Sequence, residues 1–177
     1  LVENSVYGKG LQGEHGLSLL VDTGEHRLLF DTGASDLFIR NARILGIDLK
    51  EVDFLVLSHG HRDHTGGLHH FLAVNDKAQV ICKRELFRPK FKDERENGVM
   101  QPNALDSTRF RFVDEVTELC RGVFVFPQLP VTDEEDTHFE HFFTWTEGRK
   151  QADTFTDELA LVLKQGVEVS VLSACSH

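Results

Sequence analysis

The sequence is poor in cysteine, tryptophan, tyrosine and methionine: its 177 residues include three Cys and one each of Trp, Tyr and Met. An odd, sparse set of cysteines does not suit a disulfide framework, so we expect a cytoplasmic protein in a reducing compartment. No apolar run approaches the roughly 20 residues of a membrane helix. Basic residues are also in the minority, with a net charge of −10. Because proteins bind nucleic acids mainly by neutralising phosphates with basic residues, we expect no nucleic-acid partner. The lack of a long apolar run leads us to expect no membrane partner either.

What is present is typical of a soluble globular protein, with 40% hydrophobic and 27% charged residues. A chain of this length can bury roughly 70% of its unfolded surface, which is enough for a stable core. We therefore predict one domain over residues 1–177. The sequence gives no indication of its oligomeric state.

Short apolar runs alternate with turn signals in the first half of the chain. Leu17–Val21 and Arg27–Asp31, separated by a turn at Gly24, predict a β-hairpin. The continuous apolar run 54–57 predicts a strand that is buried on both faces. Together with the predicted helices 35–46 and 66–75 and the predicted strand 79–83, these runs indicate an α/β fold.

The second half is less regular. Residues 84–150 carry mixed charges and weak periodicity apart from 121–126, so we interpret them as a loop-rich insertion within the same domain. Regular patterns return in two apolar runs, Leu159–Lys164 and Val167–Leu172, which predict strands joined at Gly166.

A histidine cluster is the chief chemical signal, because five of the 10 His lie within residues 59–70. His59 and His61 directly follow the buried strand, and side chains at i and i+2 of an extended chain project to the same side. They can therefore bind one metal ion. Asp63 and His64 come next, where the chain turns, and can serve a second ion. Imidazole and carboxylate ligands suit Zn, Mn or Fe.

The segment 59–64 resembles the HxHxDH signature of the metallo-β-lactamase superfamily. The segments 14–20, 29–33, 45–49 and 57–61 are similar to one branch of that superfamily, the dihydropterin ribofuranosyl-aminobenzene phosphate synthase-like metal-dependent hydrolases. The resemblance is close over residues 1–83 and 153–177, and it is thin over the predicted insertion.

This resemblance implies a metallo-β-lactamase-like four-layer αβ/βα sandwich with a dinuclear metal site. His59 and His61 would hold the first ion, and Asp63 and His64 the second. The implied cofactors are two divalent ions, with Zn first and Mn or Fe as alternatives. Water activated by the metals would be the nucleophile. Asp63 would also be catalytic, orienting that water or moving its proton.

A further metal ligand is expected just after the last apolar strand. This strand resembles the one before His59, because both are followed directly by side chains of the kind that bind metals. His177 is the first choice and Cys175 the alternative, since a thiolate also binds zinc. Asp157 is a third candidate, although a strand or helix cap suits it as well. In the superfamily, the aspartate that corresponds to Asp31 supports the histidine loop through hydrogen bonds, so we expect it to orient ligands and not to bind the metal itself.

The expected function is a metal-dependent hydrolase that uses metal-activated water on a phosphoester or a related ester or lactone bond. The expected substrate is a small molecule, phosphorylated or not. Two alternatives stay open. One is a pterin-forming synthase of methanopterin-type cofactor biosynthesis, and the other is a metal-binding module without turnover. Because proteins of the resembling branch continue past the Cys-Ser-His segment, we also expect the C-terminal part of the domain to be absent from these 177 residues.

Overall fold

The computed structural model describes residues 1–100, 107–130 and 140–177. It divides the chain into two units. Unit one comprises Leu1–Leu57, Arg62–Ile81 and Met100–Arg111. Unit two comprises Ser58–His61, Cys82–Val99 and Phe112–His177. The single domain over residues 1–177 stays a prediction.

The secondary structure of the described residues is mostly short strands. In chain order the strands and helices are β1 (Leu19–Asp22), β2 (Arg27–Phe30), α1 (Leu37–Ile44), β3 (Phe54–Val56), α2 (Arg62–Thr65), α3 (Leu68–Val74), β4 (Gln79–Cys82), β5 (Lys90–Lys92), β6 (Arg95–Glu96), β7 (Phe110–Phe112), β8 (Thr117–Cys120), β9 (Val123–Phe126), β10 (Phe142–Thr146), β11 (Arg149–Ala152), β12 (Ala160–Gln165) and β13 (Glu168–Leu172). No described helix is both long enough and apolar enough to cross a bilayer.

A five-stranded sheet forms the centre of unit one, with the order β1-β2-β3-β4-β7. The predicted hairpin is confirmed: β1 and β2 pair antiparallel, and Gly24 takes a φ of 85° in the turn between them, a value that glycine tolerates best. β3 pairs in parallel with both β2 and β4. Leu55 and Val56 are fully buried, as expected for a strand covered on both faces.

α1 and α3 lie within the helices predicted over 35–46 and 66–75, whereas the short helix α2 is not predicted. The Ser35 hydroxyl accepts a hydrogen bond from the backbone N–H of Leu37 at the start of α1, and Gly46 takes a positive φ after its end. Asp48 caps the following 3-10 turn by accepting a hydrogen bond from the Lys50 N–H. These caps fix the connection that leads into β3.

Unit two contains two four-stranded sheets, with the orders β11-β10-β5-β6 and β13-β12-β9-β8. The predicted β12–β13 hairpin is confirmed, with Gly166 in its turn at a φ of 62°. The interpretation of residues 84–150 as loop-rich is wrong for the described part of that segment, which contributes strands to both sheets. These strands are two to five residues long and only partly buried, so they leave little periodicity in the sequence.

Candidate metal centre

The first half of the histidine motif belongs to unit two, where His59 and His61 are buried. Their ring centroids lie 4.7 Å apart, as the i, i+2 spacing predicts for side chains that project to the same side. The carbonyl oxygen of Ser58 accepts a hydrogen bond from the N–H of Leu159, which ties the start of this segment to the residue preceding β12. The motif thus presents two imidazoles from a fixed stretch of backbone.

His177 completes a group of three imidazoles. Ring nitrogens of His59, His61 and His177 all lie within 4.8 Å of one another. The centroid of the His177 ring is 5.3 Å from that of His59 and 5.0 Å from that of His61. Three imidazoles are a donor set that suits zinc and other divalent transition metals, so these residues fit the metal that the sequence implies.

Gly60 allows the close approach on which this arrangement depends. A Cβ atom at this position would lie 2.4 Å from the carbonyl oxygen of Leu86 and 2.9 Å from Cε of Lys90. Any larger residue would therefore push the backbone between His59 and His61 out of place. The glycine is required here for space, since its φ is not in the left-handed region.

Aromatic rings cover the imidazoles within unit two. Phe155 stacks on His177 with a centroid distance of 4.1 Å and an interplanar angle of 15°. Phe142 stacks on His61 at 4.9 Å and 26°. Apolar rings of this kind fix the orientation of the imidazoles and lower the local dielectric, which strengthens electrostatic interactions with a bound cation.

A serine hydroxyl lies beside the first imidazole. Oγ of Ser58 is 2.9 Å from Nδ1 of His59, which is hydrogen-bonding distance. When Nδ1 carries the proton and donates it to this hydroxyl, Nε2 is left with a lone pair for a metal ion. The residue directly before the motif can thus select the tautomer that binds metal.

A buried ion cluster lies next to the Gly60 backbone. The carboxylate of Asp157 accepts a hydrogen bond from the Gly60 N–H through Oδ2 (2.7 Å) and one from Nζ of Lys90 through Oδ1 (2.8 Å). Nζ of Lys90 also donates to Oδ2 of Asp153 at 2.6 Å. The sequence offered Asp157 as a metal ligand or a cap, and the structure shows both of its oxygens accepting hydrogen bonds from protein groups.

Sequence reasoning missed Lys90 entirely. It lies in a mixed-charge stretch, and 63 and 67 residues separate it from Asp153 and Asp157. Charged stretches usually face water, so no local pattern distinguishes a lysine that is only 2% exposed. The only signal in the sequence is the group of acidic residues after position 152. These residues indicate that a basic partner is needed, but they do not indicate which residue it is.

The second half of the motif belongs to unit one. Asp63 and His64 lie in α2, and Oδ2 of Asp63 is 3.4 Å from Nε2 of His64. Nδ1 of His64 lies 2.7 Å from Oδ2 of the fully buried Asp31. Asp31 has a φ of 60°, in a region that aspartate tolerates better than most residues do. The structure thus brings together Asp31, Asp63 and His64, three of the residues that the sequence singles out.

His15 reaches the same cluster. Its Nε2 lies 3.4 Å from Oδ2 of Asp63, and its Nδ1 is 3.0 Å from the side-chain oxygen of Asn4. The side chain is 85% exposed. His15 is therefore an exposed ionisable group within reach of Asp63, for which the resemblance to the superfamily implies a catalytic role.

Cys175 and Glu158 lie close to the histidines of unit two. The exposed Cys175 has its Sγ within 4.8 Å of a ring nitrogen of His59, so the alternative ligand is also close to this imidazole. Burial raises the pKa of the Glu158 carboxyl to about 7, although the backbone N–H of His177, which donates to Oε1 at 3.1 Å, opposes this rise.

Three known proteins are similar to this chain over nearly its whole length. The uncharacterized protein MJ0448 of Methanocaldococcus jannaschii is 28% identical over 182 residues, which cover 100% of this chain and 68% of that protein. The 7,8-dihydropterin-6-methyl-4-(β-D-ribofuranosyl)-aminobenzene-5'-phosphate synthase of the same organism is 27% identical and is matched over 97% of this chain and 64% of its own length. The crystal structure of Tm1679, a metal-dependent hydrolase of the β-lactamase superfamily, has a TM-score of 0.75 and 31% identity, and covers 97% of this chain and 62% of that one.

The chain thus spans 62 to 68% of the length of these proteins. A family model described as the metallo-β-lactamase superfamily matches residues 11–157, which include the whole histidine motif but not His177. The likeness to Tm1679 confirms the predicted α/β fold of the metallo-β-lactamase type. On this match, the chain belongs to the metallo-β-lactamase superfamily.

Proposed function

We propose that the protein is a metal-dependent hydrolase that uses metal-activated water on a phosphoester or a related ester or lactone bond. The observation that carries this proposal is the group of three imidazoles from His59, His61 and His177, whose ring nitrogens lie within 4.8 Å of one another. A histidine cluster of this kind in a metallo-β-lactamase fold is suited to hold a catalytic divalent ion.

When bound, a divalent cation supplies Lewis-acid polarisation and makes water more acidic at neutral pH. The protein's own residues would hold the metal ion and orient the attacking water. Neutral imidazoles of His59, His61 and His177 donate lone pairs, and Phe142 and Phe155 restrict water around them. The Asp63 carboxylate, whose side chain is 19% exposed, accepts a proton from the attacking water or orients that water.

We assign a second ion to Asp63 and His64. The support for this assignment is the hydrogen bond between Asp31 and Nδ1 of His64, since a carboxylate on one ring nitrogen leaves the other free of its proton and ready to bind metal. Zinc is the first choice for both ions, because histidine and aspartate ligands suit it, with manganese and iron as alternatives.

One relative favours a second candidate function. The synthase from M. jannaschii is similar to this chain over 97% of the chain's length, and the name of that protein describes the formation of a pterin joined to a ribosylated aminobenzene 5'-phosphate. A pterin-forming synthase is therefore the alternative activity, and it would share with the hydrolase a small phosphorylated substrate. A metal-binding module without turnover is the third candidate.

The test compares hydrolysis of bis(p-nitrophenyl) phosphate, p-nitrophenyl acetate and a simple lactone by purified protein. The proposal predicts turnover of at least one ester, its loss after exhaustive chelation, and its return when Zn²⁺ or Mn²⁺ is added. A His59→Ala/His61→Ala variant is the inactive control, and a His26→Ala variant, which changes a histidine of unit one beside Asp53, is the matched active control. Turnover that survives chelation would refute the hydrolase. Metal binding without hydrolysis would favour the synthase or the binding module.

A further inference from the structure

Lys90 is the one buried lysine among the described residues, and it lies within unit two. Its ammonium group contacts two buried carboxylates, those of Asp153 and Asp157. An ammonium ion removed from water is costly unless close partners compensate it, and each of these carboxylates has the same requirement. One cation between two anions offsets the cost of burying both carboxylates and fixes the position of each.

The first carboxylate leads to the backbone of the histidine motif. Oδ1 of Asp157 accepts from Lys90, and Oδ2 accepts from the N–H of Gly60 at 2.7 Å. Gly60 is the residue between His59 and His61. The peptide on which their relative orientation depends is therefore held by an ionised carboxylate, and hydrogen bonds to charged acceptors are about twice as strong as neutral ones.

The second carboxylate leads to the third imidazole. Oδ1 of Asp153 accepts a hydrogen bond from the N–H of Phe155 at 2.9 Å, while Oδ2 accepts from Lys90. Phe155 has a φ of 50°, which is unfavourable for a bulky residue and persists only where the surroundings hold it. Its ring stacks on His177 at 4.1 Å.

We propose that Lys90 is a positioning residue that sets the geometry of all three imidazoles, through Asp157 and Gly60 for His59 and His61, and through Asp153 and Phe155 for His177. This inference rests on the proposed function, because it treats the three histidines as metal ligands. The ammonium group of Lys90 acts through its hydrogen bonds to Asp153 and Asp157. It joins two segments of the site that are distant in sequence and makes their positions depend on one ammonium group.

The test uses Lys90→Met, Asp153→Asn and Asp157→Asn in the 177-residue protein, with Co²⁺ as a spectroscopic probe. Methionine keeps the length of lysine without its charge. Asparagine keeps the shape of aspartate but cannot accept hydrogen bonds from both of the donors that each carboxylate holds. We expect each variant to bind Co²⁺ 10- to 100-fold more weakly, the range found when groups that orient metal ligands are removed, and to show an altered visible absorption spectrum when loaded.

Two control variants separate positioning from simple loss of stability. Lys150→Met removes a lysine of the same unit that pairs with Glu94 and donates to the carbonyl of Asp93. Val125→Ala removes buried volume from β9 and lowers stability at a position that carries no charged group. Both controls should keep the Co²⁺ affinity and the absorption spectrum of the unchanged protein at temperatures where they are folded.

The outcomes are distinct. Weaker binding and an altered spectrum in the three cluster variants, with both controls normal, support the inference. Unchanged affinity and spectrum in Lys90→Met overturn it, while Co²⁺ binding by the unchanged protein still supports the proposed function. If Lys90→Met does not fold, the two asparagine variants decide, and unchanged spectra in both overturn the inference. No Co²⁺ binding by the unchanged, folded protein would overturn the proposed function and this inference with it.

Discussion

The Oδ2 atom of Asp31 lies 2.7 Å from Nδ1 of His64, and both side chains are buried. The two residues are 33 positions apart and come from different segments of unit one, the end of β2 and α2. A carboxylate at this distance fixes the ring orientation of the histidine and favours the tautomer whose proton is on Nδ1. The Nε2 atom is then able to bind a metal ion.

Asp31→Asn should therefore reduce both metal affinity and turnover by 10- to 100-fold, because an amide holds the ring less firmly and can present a donor where His64 needs an acceptor. Asparagine accepts the positive φ at this position, so the fold should persist. The measurement is zinc affinity together with ester turnover. Asp48→Asn, which keeps its capping role, is the matched control. Equal zinc affinity in Asp31→Asn and the unchanged protein would contradict the assigned role.

Asp63→Ala should abolish turnover with little effect on stability. The side chain is partly exposed, so its removal should disturb packing little. In the proposed function it accepts the proton of the attacking water, and general-base catalysis of this kind raises the rate by roughly 10²- to 10⁴-fold. Turnover and thermal unfolding are measured on the same preparation. Glu25→Ala, which removes an exposed acid from the β1–β2 turn, should change neither quantity. Turnover retained by Asp63→Ala would remove this residue from the mechanism.

Gly60→Ala tests the effect of a steric clash, and Gly24→Ala tests the effect of an unfavourable backbone angle. Alanine at position 60 would meet the carbonyl oxygen of Leu86, so we expect the peptide between His59 and His61 to shift and zinc affinity to fall. Alanine at position 24 meets no atom within 4 Å but must adopt a φ of 85°. It should cost about 1 kcal/mol of stability and leave zinc affinity unchanged. Zinc titration and urea unfolding measure both effects, and normal zinc affinity in Gly60→Ala would argue against the close-packed loop.

His177→Ala and Cys175→Ser decide between the two ligands that the sequence left open. The group of three imidazoles includes the half-buried His177, whereas Cys175 is exposed and lies near His59. We expect zinc affinity to fall sharply in His177→Ala and to remain in Cys175→Ser. Iodoacetamide should also label Cys175 at the same rate with and without zinc. Protection of the thiol by zinc, or loss of affinity in Cys175→Ser, would instead make the cysteine a ligand.

The parts of the fold that could be predicted from sequence are those with strong local signals. The hairpins at Gly24 and Gly166 each combine apolar runs with a turn residue, and the buried strand β3 is a continuous apolar run. The strands between residues 84 and 150 could not be predicted, because they are short and their burial depends on partners elsewhere in the chain. β5, for example, pairs with β10, where Lys92 lies opposite Phe142, 50 residues further along the chain.

The residues of the candidate site also fall into those that the sequence predicts and those that it does not. His59, His61, Asp63 and His64 follow from the local sequence, and the resemblance to the superfamily adds the supporting role of Asp31. Lys90 does not follow from either, because its role arises from two carboxylates more than 60 residues away and from burial that a mixed-charge stretch does not indicate. Contacts between distant segments are set by tertiary packing, on which a local pattern carries little information.

The central claim is that His59, His61 and His177 hold a divalent metal ion. It is tested most directly by calorimetric titration of Zn²⁺ into metal-free protein, compared with a His59→Ala/His61→Ala/His177→Ala variant whose fold is checked by circular dichroism. The account predicts that the unchanged protein binds zinc tightly and that the folded variant loses binding at this site. Equal zinc affinity and stoichiometry in the two proteins would contradict it.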